Sequence, residues 1–227
     1  MRTSTMQDKN FFQRSLLLSS PNPIRSPALF LDRDGVVIED CHYLSDPDKV
    51  RLCLGSRDLI IQAHRQGIPV VLITNQSGIG RGFFQWDDFE KVNERMQNLL
   101  GCSAPLAAIY ANGYGPNAPY DSWRKPSPKM LLQAAMDLNL DLQSSIIVGD
   151  RLTDLQAGAS AGVAFAFHVL TGHGSSDRNS VVGWHKIFES TNEVSGYKNK
   201  QCPVLRLIDS LMEFPVSLLK HIKEKGC

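Results

Sequence analysis

Residues 28–37 read ALFLDRDGVV, in which four apolar residues lead into two aspartates one residue apart, Asp32 and Asp34, followed by Gly35. Side chains alternate along a strand, so carboxylates at i and i+2 share one side if the extended path continues for one more pleat. Two anions held that close repel each other unless a cation lies between them. The end of this run therefore predicts a hard divalent cation with oxygen ligands, together with nucleophilic or acid/base work by the carboxylates.

Three further runs end in residues of the same kind. IPVVLI at 68–73 ends in Thr74, Asn75, Gln76 and Ser77, with Gly78 and Gly80 behind. The segment after LAAIY at 106–110 reaches Arg124 and Lys125 just before the helical pattern SPKMLLQAA, and SIIVG at 145–149 ends in Asp150, Arg151 and, four residues past the first aspartate, Asp154. Ligands of an open α/β sheet bind at the carboxyl ends of its strands, so the four sets are expected at one crevice. Phosphoryl transfer needs an in-line nucleophile, an electrophile for the anionic oxygens and a proton for the leaving group. Asp32 suits attack and an aspartyl-phosphate; Asp34 suits protonation of the departing oxygen and later deprotonation of water. Asp32 and Asp150 suit magnesium, while Thr74, the amides after it and Lys125 suit donation to phosphoryl oxygens. Singly, each string has a plainer reading as a turn or a helix cap. Their order, each at a strand end, favours a single site.

The elements that must position these residues are legible from hydrophobic period. Short apolar runs at 28–31, 68–73, 106–110, 145–149 and 163–170 alternate with helical stripes such as Phe89, Val92, Met96 and Leu99, or Leu131, Leu132, Ala135 and Met136. Leu59, Ile60 and Ala63 suit a helix closed by Gly67. This alternation predicts an α/β fold: a Rossmann-like three-layer sandwich on a mostly parallel sheet. Residues 1–27, which lack periodicity, are expected to be a mobile leader, and 28–222 a single domain. The Gly-, Ser-, Asn- and Lys-rich stretch 171–203 reads as a long loop or insertion, before VLRLI and a helix from about Pro215.

Composition narrows the classes. With 24 basic and 23 acidic residues in 227, the formal net charge is +1, which gives no global attraction to nucleic acid or anionic membrane. No apolar run approaches the roughly 18 residues of a membrane helix. The five cysteines lack any C-x-x-C spacing, against a disulfide framework and in favour of a reducing cytoplasm. A monomer without nucleic-acid or membrane partners is expected.

The ordered set resembles the haloacid dehalogenase superfamily of phosphohydrolases over most of 28–174. The strings FLDRDGVVIEDCHYLSDP, ITNQSGIGRGFF, RKPSPKMLLQAA and VGDRLTDLQAGASAGV are similar to the heptose 1,7-bisphosphate phosphatases, with histidinol-phosphate phosphatases as near relatives. The resemblance implies no large cap domain, Asp32 as nucleophile, and Asp34 as acid/base and magnesium ligand through its backbone oxygen. It implies Asp150 as the other metal carboxylate and Thr74 and Lys125 as supports of the transferred phosphoryl. Asp40, His42, Tyr43, Asn75, Gln76, Ser77, Arg124 and Arg151 fall where that family contacts its small phosphorylated sugar.

One departure stands out. Relatives of this type carry a zinc loop, Cys-x-His then Cys-x-Cys, before the Arg-Lys pair; here the stretch reads YANGYGPNAPYDSWRKP, and neither Cys nor His occurs between Ser103 and Phe167. Zinc is not expected, and packing of Tyr114, Pro116, Pro119, Tyr120 and Trp123 is expected to hold the loop. His42 is expected at the substrate and the other histidines at structural or surface positions. A magnesium-dependent sugar-bisphosphate phosphatase is the leading expectation. Histidinol phosphate or another small ester as substrate, a nucleic-acid 3′-phosphatase and a non-catalytic binding protein are the alternatives.

Overall fold

The computed structural model describes residues 5–8, 10–16, 25–195 and 202–225. One eight-stranded sheet runs through the molecule in the order β1-β2-β5-β4-β3-β6-β7-β8. Its parallel part is built from β3 (Leu29–Leu31), β4 (Val70–Asn75), β5 (Ala108–Asn112), β6 (Ile146–Gly149), β7 (Phe165–His168) and β8 (Val204–Leu207). The strands β1 (Thr5–Asp8) and β2 (Phe11–Ser15) extend one edge antiparallel.

The helices cover both faces. They are α1 (Ser56–Arg65), α2 (Ser77–Gly80), α3 (Trp86–Leu100), α4 (Lys129–Leu138), α5 (Leu152–Ala161), α6 (Gly174–Ser195) and α7 (Ser217–Lys225). Strand alternation sorts the core. Leu29, Leu31, Val70 and Leu72 pack with Leu59 and Ile60 of α1, Phe89 and Val92 of α3 and Leu219 of α7. Phe30, Val71, Ile73 and Ile147 pack with Met130 and Leu131 of α4, Leu155 of α5 and Val181 of α6. Strands covered on both faces have no polar side to show, which is why they read as continuous apolar runs. Successive strands move outward from β3 through β4 to β5, and the chain then returns to the other side of β3 with β6. That reversal opens a crevice at the carboxyl ends of β3 and β6, where Asp32 and Asp150 follow.

Three expectations are corrected. Residues 1–27 are not a leader throughout, because β2 pairs with β5 from Phe11↔Asn112 to Ser15↔Ala108 and β1 pairs with β2. Short strands with mixed polarity carry a weak periodic signal, and their pairing partner lies about a hundred residues away. Most of 171–203 is the helix α6, whose Gly and Ser content conceals it because an exposed surface helix needs few apolar residues. In α4 the buried stripe is Met130, Leu131, Ala134 and Leu138, whereas Leu132 and Met136 are exposed. Among the described residues, no helix is long and apolar enough to cross a membrane.

Candidate active site

Asp32 follows β3 directly, its amide donating to Val148 O at 3.0 Å, so the adjacent parallel strand fixes its backbone. Its Oδ1 accepts from the Arg33 amide at 2.8 Å and lies 2.9 Å from Lys125 Nζ. Lys125 is almost wholly buried; its ammonium also lies 2.6 Å from Asp154 Oδ1 and donates to Ile73 O at 2.9 Å. Those contacts occupy its three donors. Asn75 clamps the lysine backbone from both sides, with Oδ1 accepting from Lys125 N at 3.0 Å and Nδ2 donating to Lys125 O at 3.2 Å.

Asp34 is held by a buried scaffold. Arg33, fully buried, donates Nε and Nη2 to its two carboxylate oxygens, each at 3.0 Å. A bidentate fork of this kind fixes direction as well as distance. Arg33 also reaches Gln76 Oε1 at 3.0 Å and Asn93 Oδ1 at 3.2 Å, and its guanidinium lies over the Phe89 ring at 4.9 Å. Gln76 Nε2 then donates to both Asp34 Oδ2 and Thr74 Oγ1 at 2.8 Å. Sequence reading placed Gln76 against substrate; its side chain here ties the ends of β3 and β4 together.

Asp150 lies beneath the crevice, 1% exposed. Its Oδ2 accepts from the His173 amide at 2.7 Å, and its Oδ1 is buried with no hydrogen-bond partner among the described residues. Carboxylate oxygens of Asp32, Asp150 and Asp154 lie within 4.8 Å of one another. Burial, reinforced by Asp154 and Asp34 against the opposing Lys125 charge, pushes Asp32 up to about 7; burial with Asp154 and Asp32 pushes Asp150 up to about 8. Burial alone would discharge Lys125, but Asp154 and Asp32 hold its pKa above the ordinary lysine value. A carboxylate oxygen without a partner beside two more carboxylates is an all-oxygen donor set for a magnesium ion. The backbone accommodates it only with glycine: Gly35 (φ 83°) and Gly172 (φ 57°) pass so close that a Cβ on Gly35 would sit 2.5 Å from Asp150 Oδ2. Behind Asp150, His168 Nε2 donates to the Asp150 carbonyl at 3.0 Å, a tautomer set by Arg178 Nε donating to Nδ1 at 2.9 Å.

Above this floor is a cavity of about 380 Å³. It is lined by all the expected catalytic and contact residues: Asp32, Asp34, Thr74 and Lys125, with Asp40, His42, Tyr43, Asn75, Gln76, Ser77, Arg124 and Arg151. Asp150 contributes to the floor rather than the lining. Three guanidiniums ring the opening, because Arg81 joins Arg124 and Arg151; burial and these two neighbours lower the Arg124 pKa. Arg124 Nη1 also donates to Tyr114 O at 3.0 Å.

Sequence reasoning missed Arg81 and His173, and placed Asp154 at the crevice without a role. There Asp154 faces the Lys125 ammonium and caps α5 through the Arg151 amide at 3.0 Å. His173 corrects the expectation that only His42 would face substrate: it lines the cavity and lies 2.8 Å from Asp40 Oδ2. Its loop follows β7, so only the fold brings it there. Tyr120, expected to pack the loop at 113–124, is fully exposed, whereas Trp123 is packed between Phe11 and Tyr110 at centroid distances of 5.0 and 6.1 Å.

Comparison with known proteins agrees with this architecture. A family model described as HAD-hydrolase-like matches residues 122–191. D-glycero-beta-D-manno-heptose-1,7-bisphosphate 7-phosphatase of Mesorhizobium japonicum is 49% identical over 149 residues, 63% of this chain and 69% of the relative. D-glycero-alpha-D-manno-heptose-1,7-bisphosphate 7-phosphatase of Burkholderia mallei is 37% identical over 147 residues, 62% of this chain and 78% of the relative. The crystal structure of D,D-heptose 1,7-bisphosphate phosphatase from B. bronchiseptica, complexed with magnesium and phosphate, superposes with a TM-score of 0.67 at 26% identity, covering 88% of this chain and 99% of that one. With an identity near one half to a relative of which it spans more than two thirds, this chain belongs to the HAD-like family of heptose-bisphosphate phosphatases.

Proposed function

We propose that the protein is a magnesium-dependent phosphatase of a small sugar bisphosphate, with D-glycero-D-manno-heptose 1,7-bisphosphate, for which its relatives are named, as the substrate. The observation that carries this reading is the Lys125 ammonium bridging Asp32 and Asp154 beside Asp150, with Asp34 on its own scaffold at the same cavity.

Both described hydrogen-bonding contacts to Asp32 fall on Oδ1, which leaves Oδ2 as the attacking oxygen. A bond forms from Oδ2 to phosphorus as the bond to the sugar oxygen breaks, giving an aspartyl-phosphate on Asp32. Asp34, aimed by Arg33 and Gln76, gives its proton to the departing sugar oxygen. It then takes a proton from the water that attacks the aspartyl-phosphate and frees inorganic phosphate. Thr74 and the amides that follow it donate to the transferring phosphoryl, and Lys125 aligns the nucleophile while offsetting nearby negative charge. Asp32, Asp150 and the Asp34 backbone carbonyl would hold magnesium, whose charge offsets repulsion between nucleophile and phosphate. Arg124, with Arg151 and Arg81, would grip the phosphate that stays on the sugar.

The near-neutral chain charge supports action on a small substrate rather than on nucleic acid, and the lack of any C-x-x-C spacing suits a reducing cytoplasm. A phosphate-release screen with magnesium, over sugar bisphosphates, histidinol phosphate and 3′-phosphorylated oligonucleotides, tests the reading. The sugar bisphosphate should be turned over best. Faster release from either other class would replace the substrate assignment.

A further inference from the structure

We infer that strand β2 of the N-terminal hairpin positions both halves of the active site, with Phe11 and Phe12 as positioning residues for the reaction proposed above, on which this inference rests. Neighbouring residues of a strand point to opposite faces. Phe12, fully buried, meets Phe89 edge to face at 5.2 Å and stacks beside Trp86 at 5.7 Å. Phe89 is the ring beneath the Arg33 guanidinium, and Arg33 aims Asp34. Two contacts therefore separate Phe12 from the fork that orients the acid/base carboxylate. On the other face Phe11 packs on Trp123, which also meets Tyr110 of β5. Trp123 directly precedes Arg124 and Lys125 in the chain.

The hairpin is anchored well enough to act as a support. Beyond its five paired positions with β5, Leu16 N donates to Ala107 O and Gly113 N to Asn10 O, each at 2.8 Å. Gln13 Nε2 donates to Asp137 Oδ2 at 2.7 Å, the oxygen that also accepts from the Tyr110 hydroxyl at 2.8 Å. The loop from Gly113 to Arg124 carries neither Cys nor His, so aromatic packing on this strand is what it has in place of a metal clip. Interiors packed like crystals pass a displacement from one ring to the next instead of absorbing it.

The test uses full-length Phe11→Ala, Phe11→Tyr and Phe12→Leu with Asp32→Asn as reference, after thermal melts of each. Two substrates are compared: a sugar bisphosphate, and p-nitrophenyl phosphate, whose leaving group departs without a proton. Phe12→Leu should lower kcat/KM on the sugar bisphosphate at least about tenfold but on p-nitrophenyl phosphate less than about twofold, because kcat/KM reports the steps up to leaving-group release, where only the former needs the proton from Asp34, and not the later deprotonation of water that both substrates share. Phe11→Ala should lower kcat/KM for both substrates by roughly 10- to 100-fold through misplaced Lys125 and Asp32, and Phe11→Tyr should recover to within about twofold. Wild-type constants in folded Phe11→Ala and Phe12→Leu, or an equal loss on both substrates for Phe12→Leu, would overturn the inference. If Phe12→Leu does not fold, the Phe11→Ala and Phe11→Tyr pair decides alone, and failure of tyrosine to rescue counts against it. Turnover by Asp32→Asn would instead bring down the functional reading; an inactive Asp32→Asn beside unaffected hairpin variants removes only the hairpin.

Discussion

Lys125 Nζ lies 2.9 Å from Asp32 Oδ1, and both side chains are withdrawn from solvent although Asp32 directly follows β3 and Lys125 sits far along the chain in the loop before α4. The ammonium is also 2.6 Å from Asp154, so one buried cation faces two carboxylates, with Asp150 as a third nearby. The site is thus short of positive charge by construction, and burial first, with that shortage adding to it, raises the pKa values of Asp32 and Asp150. Binding of a divalent cation follows from that imbalance, and the positive charge an anionic substrate meets at the cavity comes from Arg81, Arg124 and Arg151.

Asp32→Asn should abolish turnover, since an amide is a poor nucleophile, while stabilising the metal-free protein by removing one charge from the cluster. An increase in melting temperature of at least about 2–4 °C in EDTA is expected, the shift that about 1 kcal/mol produces in a domain of this size. Remaining phosphatase activity would take Asp32 out of its role; a lower melting temperature would mean that its pairing with Lys125 outweighs the repulsion.

Metal and pH should be linked with a definite sign. A carboxyl whose folded pKa is raised favours the fold fully below its unfolded pKa and loses that contribution as pH rises through the folded value, here about 7 for Asp32 and about 8 for Asp150. Metal-free protein should therefore melt at a lower temperature at about pH 9 than at about pH 6, and added magnesium should raise the melting temperature more at the higher pH. Melts in EDTA and in magnesium across that range are the measurement. Equal magnesium stabilisation at both ends would contradict the assigned carboxylates.

Gly172→Ala should fold but bind magnesium poorly. A Cβ there would run into Asp150 Oδ2 and lie 2.7 Å from Gly35 Cα, and φ at Gly172 is 57°. Pushing the Asp150 carboxylate at Oδ2, and with it the unpartnered Oδ1 offered to magnesium, by about an ångström should lower kcat by on the order of 100-fold and remove most of the magnesium-dependent thermal shift. Normal metal response in this variant would place the ion elsewhere.

Arg124→Ala should separate a bisphosphate from a monophosphate. A charge-assisted hydrogen bond contributes roughly 1.5–3 kcal/mol, so kcat/KM for a sugar bisphosphate should fall about 10- to 100-fold while the matching monophosphate changes little. Its partner Tyr114 O belongs to the adjoining loop, so a loss shared equally by both substrates would assign Arg124 to loop support instead.

The local sequence was enough to establish the strands that end in Asp32, Thr74 and Asp150 and the chemistry those ends can perform. Buried parallel strands must be apolar throughout, and the polar residues that break such runs mark the sheet's carboxyl edge. Positions within a helix were less legible: Leu132 and Met136 look like core by type, yet α4 turns them outward because Met130, Leu131 and Ala134 already face the sheet. What the sequence could not disclose depends on partners brought in from a distance. Arg33 reads as a residue between two catalytic aspartates, and only packing shows its charge spent on Asp34, Gln76 and Asn93. His173 lies outside every motif and enters the cavity because the loop after β7 returns beside Asp150. The hairpin β1–β2 has little apolar period of its own, and its pairing with β5 comes from hydrogen bonds and rings spanning about a hundred residues of chain. Local periodicity reports which face of an element is buried; the identity of what buries it is a property of the folded whole.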